Sequence, residues 1–579
     1  MRMSHRRQKG AVGFLLIALS FLLLTVSMLT IDVVRLHNEK HRLQNLADIT
    51  ALEVTHKTNI LGGYPLHDPE VIALETLNRH GFDTHDQKRQ MSVRVGRVEV
   101  VDGHFHFINV DHQQEFKNAI EIHLHKTIPT LVISGINRLL LHSFDDWITI
   151  EASAVAMQTA STTFSYGSGL ATVSVENSPL LSLVFNELLQ TNVDLDLLSF
   201  KGVLDTSLSL LQLSQELFLL GVDLSLVTLD ELLKTSVDVA DILRLTAVIA
   251  ERNNANPFDI LRLNQIAQAS GLSGHELVLE QIFNVPAHLN SKDDVIAEAQ
   301  FNYFDFLTAS LLAANQDRAI HLQINDLQFL NQLTSLLGIN IDLSLDLQVI
   351  SPPQIAIGPP GLIDYENREF NTEAVNSQLG LVVGAQLSLP LSLINLDLAI
   401  AVNAAAGRAG LEGLDFEERE ALFKLYPSLA NVSLGSFASQ GQEPAEISIK
   451  LLGIPVAEIL LGAKLGSNME NQDEVSIRVS FDDIGVSQRE TSSLVGSVAG
   501  LISSLPNLSV QVKLLGIELG IINSLLNPII NELSNVLTPL LQVIANQLVD
   551  PIISFLGVGT TYSDVTLIDV NHSSVILVR

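Results

Sequence analysis

Ala11-Val-Gly-Phe-Leu-Leu-Ile-Ala-Leu-Ser-Phe-Leu-Leu-Leu-Thr-Val-Ser-Met-Leu-Thr-Ile31 runs for 21 positions without a charged side chain. At 1.5 Å rise per residue a helix of that length spans about 31 Å, close to the roughly 30 Å hydrocarbon core of a bilayer. Thirteen of its residues are Leu, Ile, Phe or Val. At about −0.3 to −0.6 kcal/mol each, insertion is favourable by several kcal/mol. A cleaved secretory signal has an apolar core of only about 7–15 residues and a small-residue cleavage site after it. This run is longer, and no A-x-A site follows, so it reads as a transmembrane helix. Three later uncharged stretches, 152–175, 374–396 and 491–512, are interrupted by Ser, Thr, Asn, Gln, Gly or Pro, and none is as apolar. The chain is expected to be single-pass.

On one side of the run, residues 1–10 carry Arg2, Arg6, Arg7 and Lys9 and no acid. By the positive-inside rule they form a cytoplasmic tip, and everything after Asp32 lies outside the cytoplasm. On the other side, Leu36, Leu43, Leu46, Ala47 and Val54 recur at helical spacing while Arg35, Glu39, Lys40 and Arg42 are expected to face away. Neither Gly nor Pro interrupts Phe14 to Ile60. The spacing predicts one continuous helix that leaves the membrane as an amphipathic stalk over 32–57.

Arg6-Arg7-Gln8-Lys9-Gly10-Ala11-Val12, the apolar run, Ile31-Asp32-Val33-Val34-Arg35-Leu36 and Leu43-Gln44-Asn45-Leu46-Ala47-Asp48 resemble the N-terminal segment of TadG-like proteins, members of the tight-adherence (Flp) pilus-assembly system of bacteria. Residues 95–110 with Ile148–Ala156, the stretch Val349–Pro359 and the block Phe555–Leu567 are similar to later segments of longer members. Ile49-Thr50-Ala51-Leu52-Glu53 is less Ala-rich than that family's pattern, and the cysteines common toward the end of such members are absent. The resemblance implies a component of the inner membrane whose bulk is periplasmic and whose partners are other pilus-assembly proteins or pilin-like subunits. Gly10 after basic residues also resembles a prepilin cleavage site. The fifth residue after it is Leu15 rather than the Glu usual in pilins, so the segment reads as an unprocessed anchor.

The full chain has 579 residues, 47% of them hydrophobic and 17% charged, which supports a large folded core. Its formal charge of −31 is uneven. Residues 1–150 hold 16 basic and 16 acidic side chains and 13 of the 17 histidines, whereas residues 151–579 hold 17 and 48. Chemistry so different on the two sides places a boundary near residue 160, where Thr159–Gly169 is rich in Ser, Thr and Gly. Repulsion of phosphates argues against nucleic acid as a partner. The absence of Cys removes disulfides, thiolate metal sites and thiol nucleophiles.

The expected class is a membrane-anchored α+β protein. After the tip (1–10), the transmembrane helix (11–31) and the stalk (32–57) comes a small α/β unit over 58–157. Within it Glu70–His80 reads as a helix. Ser92–Val101 and His104–Val110 read as a hairpin around Asp102-Gly103, and Ala119–His125 and Ile148–Met157 as strands. A linker over 158–176 leads to a Leu-rich, mostly helical region over 177–339. There Ser273-Gly-His-Glu276 and Ser291-Lys-Asp-Asp294 read as capping boxes, and Asn253–Pro257 and Ala269–Leu272 as breaks. From 340 to 579 the pattern is amphipathic and β-rich. Ile341, Leu343, Leu345, Leu347 and Val349 alternate with polar residues, and Gln386–Leu398, Glu446–Leu452 and Leu508–Leu514 behave similarly. Lys450-Leu-Leu-Gly-Ile454 returns as Lys513-Leu-Leu-Gly-Ile517, which reads either as a duplicated strand–turn device or as coincidence in Leu-rich sequence. Asn527–Phe555 reads as an amphipathic helix near the end.

Two constellations could carry a metal. Asp205-Thr-Ser207-Leu-Ser209 matches the D-x-S-x-S string that holds a divalent cation in von Willebrand A domains, although Ser, Asp and Leu are simply common in this region. His104-Phe-His106 and His123-Leu-His125 each put two imidazoles on one strand face, and four would converge if those strands paired. Solvent-facing positions are the simpler reading of both pairs. No H-E-x-x-H, G-x-S-x-G or phosphate-loop motif occurs. No catalytic residue, cofactor, metal or small-molecule substrate is expected. The function read from the sequence is non-catalytic support of pilus assembly or anchoring, with a tethered adhesin or lipid-contacting module as the alternative.

Overall fold

The computed structural model describes residues 9–58, 60–62, 68–101, 104–110, 115–129, 147–167, 178–190, 206–222, 229–253, 257–269, 272, 274–286, 297–316, 318–324, 340–364, 367–388, 395–404, 406–426, 430–440, 442–451, 454–465, 475–491, 511–514, 539–555, 562–572 and 575–578. They divide between two compact units. One is drawn from Met1–Thr159 together with Ser573–Arg579, the other from Ala160–His572.

The first unit begins with α1, Lys9–Lys57, an unbroken helix of 49 residues. A second helix, α2 (Pro69–Arg79), starts where sequence chemistry favours it. Asp68 caps it by accepting from the Glu70 backbone N–H, and Pro69 at the first position has no N–H to lose. Four strands follow: β1 (Arg89–Val101), β2 (His104–Asn109), β3 (Ala119–Pro129) and β4 (Trp147–Met157). All pair antiparallel, in the order β2-β1-β3-β4. The fifth strand of this sheet, Ile576–Val578, pairs with β4 through Ile576↔Met157 and Val578↔Val155. The expected unit over 58–157 is therefore completed from the far end of the sequence, and the expected region over 340–579 does not remain in one unit.

The stalk expectation needs correcting. Residues beyond Leu43 do not project from the fold. Leu43, Ala47, Thr50, Ala51, Val54 and Thr58 form one buried stripe. Ile120, Ile122 and Leu124 of β3 and Ile150, Ala152, Ala154 and Ala156 of β4 are buried at alternate positions, the period-two pattern of a sheet with one covered face. Small alanines on both partners let helix and sheet approach closely. Glu39 does not face away either, because it meets Lys126 of β3.

In the second unit Ala160–Tyr166 is a strand buried at every position, paired with Ile355–Gly358 on one side and Tyr562–His572 on the other. The linker expectation over 158–176 is thus wrong for these residues. Their Ser and Thr content suggested a loop, but β-branched Thr suits a strand, and Phe164 packs on Phe423 at 4.9 Å between ring centroids. The expected mostly helical region is likewise interrupted. Strands Ser207–Ser209, Ser236–Asp238, Glu276–Val278 and Gln300–Asn302 are each followed at once by a helix or helical turn. They pair two by two, Leu208 opposite Phe301 and Val237 opposite Leu277. Glu276, expected in a first helical turn, sits in a strand instead, while Ser273 and Ser291–Asp294 lie outside the described residues. The capping box that forms is Ser209 with Gln212. Helices Val239–Arg252 and Pro257–Ala269 end and begin on either side of the break read at Asn253–Pro257.

The alternating strand read at 341–349 spans Asn340–Ser351 and lies in a six-stranded antiparallel sheet with Ala319–Ile324, Gln378–Ser388, Asn395–Ala404, Ala430–Ser436 and Ala463–Leu465. Leu343, Leu345, Leu347, Leu381, Val383, Ile400 and Val402 join one hydrophobic core with Phe304 and Phe306 of helix Tyr303–Ala314 and with Leu541, Ile544 and Leu548. Gln386–Leu398 is not a single strand. It covers the end of one and the start of the next, joined at Ser388↔Asn395, and Pro390 in that stretch cannot donate to a ladder. The two Lys-Leu-Leu-Gly-Ile segments begin in strands that flank the same neighbour, Ile454–Leu461, with Lys450 opposite Pro455 and Lys513 opposite Glu458. Of the helix read at Asn527–Phe555, residues 539–555 are described and helical. Strand Tyr562–His572 follows it, so the last element of this unit is a strand rather than a helix.

Candidate membrane anchor and its junction with the sheet

Side chains Gly13 to Ile31 project from α1 with no cover within the fold. Phe14 is 77% exposed and Ile17 and Phe21 are each 72% exposed. Among the described residues this is the one helix long and apolar enough to cross a membrane, and none of its most apolar stretch is buried. Three of its four hydroxyls bond within the helix. Ser20 donates to the Leu16 carbonyl, Thr25 to Phe21 and Thr30 to Val26, each at 2.8 Å. Such back-bonding removes the cost of a bare polar group in hydrocarbon.

The helix changes environment without a break. Asp32, directly after the apolar run, is buried. Lys126 of β3 donates to Glu39 at 2.7 Å, and this bond is the main reason the Glu39 carboxyl lies below its ordinary range. Gln44 donates at 2.7 Å to the Ser153 carbonyl of β4 and at 2.8 Å to Asp48. Thr55 donates to the Ala156 carbonyl. Near the end of α1, Glu53 accepts from Lys57 and from Arg79 of α2, both at 2.8 Å. Those two bonds, Lys57 first, pull its carboxyl down to about 2. The apolar half is thereby carried by a half that is wedged on a sheet and fastened at three heights. A pull or rotation on the exposed half reaches the sheet through one stiff rod.

The two metal constellations fare differently. Of Asp205-Thr-Ser207-Leu-Ser209, Asp205 lies outside the described residues. Ser209 spends its hydroxyl as a helix cap, accepting from Gln212 at 3.1 Å, and Ser207 sits in a three-residue antiparallel strand. That is not the buried parallel strand edge the cation-binding string requires. His104–His106 and His123–His125 do not meet, because β1 lies between β2 and β3. His106 stands opposite Glu99, and His123 opposite Ser92. His123 instead contacts Glu121 at 2.9 Å and also Arg94, and His125 contacts Glu151 at 3.2 Å, all on the polar face of the sheet. Among the described residues no group of three or more His, Asp or Glu gathers as a metal site.

The spacing of apolar residues exposed the helix, but nothing local pointed to Lys126 or Ser153 as its fastenings, since both lie more than eighty residues away along the chain. Comparison with known proteins bears on this same segment. Residues 10–54 match the model of the Tad family, described as Flp pilus-assembly TadE/G-like. The match spans the apolar run and the helix as far as Val54. No curated protein and no solved structure matches the chain.

Proposed function

We propose, from the premise that residues 10–54 are a TadE/G-like segment, that this protein is a non-catalytic, single-pass component of the inner membrane that supports assembly or anchoring of a tight-adherence pilus. The observation that carries the reading is the continuity of α1, whose apolar half stands free while its other half is wedged on a sheet. Four basic residues before the run support a cytoplasmic position for that end and a periplasmic one for both units. The mechanism is packing. The free half meets other transmembrane helices, and the rigid junction transmits their position to the exterior units, which hold pilus-assembly proteins or pilin-like subunits. The acidic second unit keeps its surface soluble and repels anionic headgroups. Its Leu-rich elements send many apolar residues into one core, which weighs against a lipid-contacting module, although Leu211, Phe218, Leu219 and Leu261 stay exposed.

Deleting the gene should reduce surface pili and adhesion, and a chain lacking residues 11–31 should fail to restore them. Normal piliation in the deletion strain would overturn the proposal.

A further inference from the structure

His37 and His41 lie one helical turn apart on α1, about 9 and 15 Å along the axis beyond Ile31. Their Nε2 atoms face each other at 2.9 Å, and both side chains are exposed. Two imidazoles at i and i+4 on a rigid helix are the smallest preorganised nitrogen chelate a protein can make. The 2.9 Å separation is that of an N–H···N hydrogen bond, and it already brings both nitrogens within reach of one ion at metal–nitrogen bonds of about 2.0–2.1 Å. Imidazole pairs completed by water suit the tetragonal ions Cu2+ and Ni2+, and Cu2+ heads the affinity order of the first-row divalent ions. We propose that His37 and His41 form a bidentate site for a tetragonal divalent metal ion, of which Cu2+ is the best fit, on the helix segment next to the apolar run.

The surroundings hold the pair in place. Glu39 is bonded to Lys126 and Gln44 to the Ser153 carbonyl, so the helix cannot roll, and the histidine edge stays in solvent. In the metal-free pair one ring donates its Nε2 proton to the other. For both Nε2 lone pairs to reach a metal, that ring carries its proton on Nδ1 instead, a tautomer shift through water that leaves the proton count unchanged. The described residues bring no third His, Asp or Glu to the pair, so water completes the coordination. Exposed Lys40 and Arg42 close by oppose a dication, and the site should bind less tightly than a three-ligand centre.

The test uses the full chain in detergent micelles with Cu2+ alone, read by equilibrium dialysis and electron paramagnetic resonance. The unaltered chain should hold its tightest Cu2+ with two imidazole nitrogens side by side in the equatorial plane. His37→Ala and His41→Ala should each weaken that equivalent by about tenfold or more. The double variant Asn38→His/His41→Asn keeps two histidines but sets them about 100° apart around the helix, and should lose it as well. Circular dichroism confirms that each variant keeps its helix. Tight Cu2+ that persists in either histidine variant would show that it is held elsewhere in the chain, and overturns the proposal. So does an unaltered chain with no two-nitrogen signal.

Discussion

Lys126 of β3 and Glu39 of α1 are joined by a 2.7 Å hydrogen-bonded ion pair, made eight residues past the end of the apolar run. Both side chains keep about a quarter of their exposure, so the pair is worth at most about 1 kcal/mol. Its value is positional. Lys126→Met should raise amide exchange over residues 32–42 with little change in global stability. The swapped pair Glu39→Lys/Lys126→Glu should restore protection, and a double-mutant cycle should return a coupling of about 0.2–1 kcal/mol. Unchanged exchange in Lys126→Met would mean that the fastening is idle.

Glu53 predicts an acid transition. Its carboxyl is held at about 2 against an ordinary 4.5, by Lys57 first and then Arg79. A depressed folded-state value contributes stability that is complete above the ordinary range and fades as pH falls from about 4.5 toward 2. The α1–α2 contact should loosen in that window. Glu53→Gln should be less stable than the parent at pH 7 and should show a flatter stability profile between pH 5 and 2, measured by urea unfolding at each pH.

Ala51 is fully buried in the stripe of α1 that meets the sheet. Ala51→Leu should destabilise the first unit by about 1–3 kcal/mol, because the added atoms must push the helix away from the strands. The same substitution at exposed Lys40 should be near neutral. Equal denaturation midpoints for the two variants would contradict the packing described.

Asn371 in the second unit is buried, and neither atom of its side-chain amide has a hydrogen-bond partner among the described residues. A bare buried amide costs about 1–3 kcal/mol. Asn371→Leu, close in shape, should therefore leave stability unchanged or raise it, whereas Asn371→Asp should lower it sharply. Thermal unfolding decides, and a clear loss in the Leu variant would point to a partner such as an ordered water.

Removing Ile576–Arg579 strips the edge strand from β4. Amide protection should fall at Val155–Met157, and the first unit should lose stability, although the deleted residues lie some four hundred positions away in sequence. Loss confined to the second unit would contradict the strand order.

Several features of this chain were open to reading along the sequence. The apolar run, the uninterrupted helix, the α2 start at Asp68-Pro69 and the strand over 340–351 all follow from neighbours at fixed spacing. What misled was composition. Ser161, Thr162, Thr163 and Ser165 look like linker, yet they are buried between two strands. The short strands before helices, such as Ser236–Asp238, are too brief for a period to emerge. In three of the four the signal is a polar–apolar–cap triplet, with Ser209 accepting from Gln212, Asp238 from Ala240 and Asn302 from Phe304. His37 and His41 were in reach of a local reading, since i and i+4 on a predicted helix already places them together.

The sequence by itself determined the helix of 49 residues, its apolar half and the stripe that must be covered, because hydrophobic periodicity is a property of consecutive residues. Only the tertiary structure decided what covers that stripe, that β1 separates the two histidine pairs, and that Ile576–Val578 returns to β4. The physical reason is that strand partnership is a choice among distant edges. The entropy of closing a loop rises only as the logarithm of its length, so four hundred intervening residues cost about 2 kcal/mol more than forty, which packing readily offsets, and separation in sequence does not tell one partner from another.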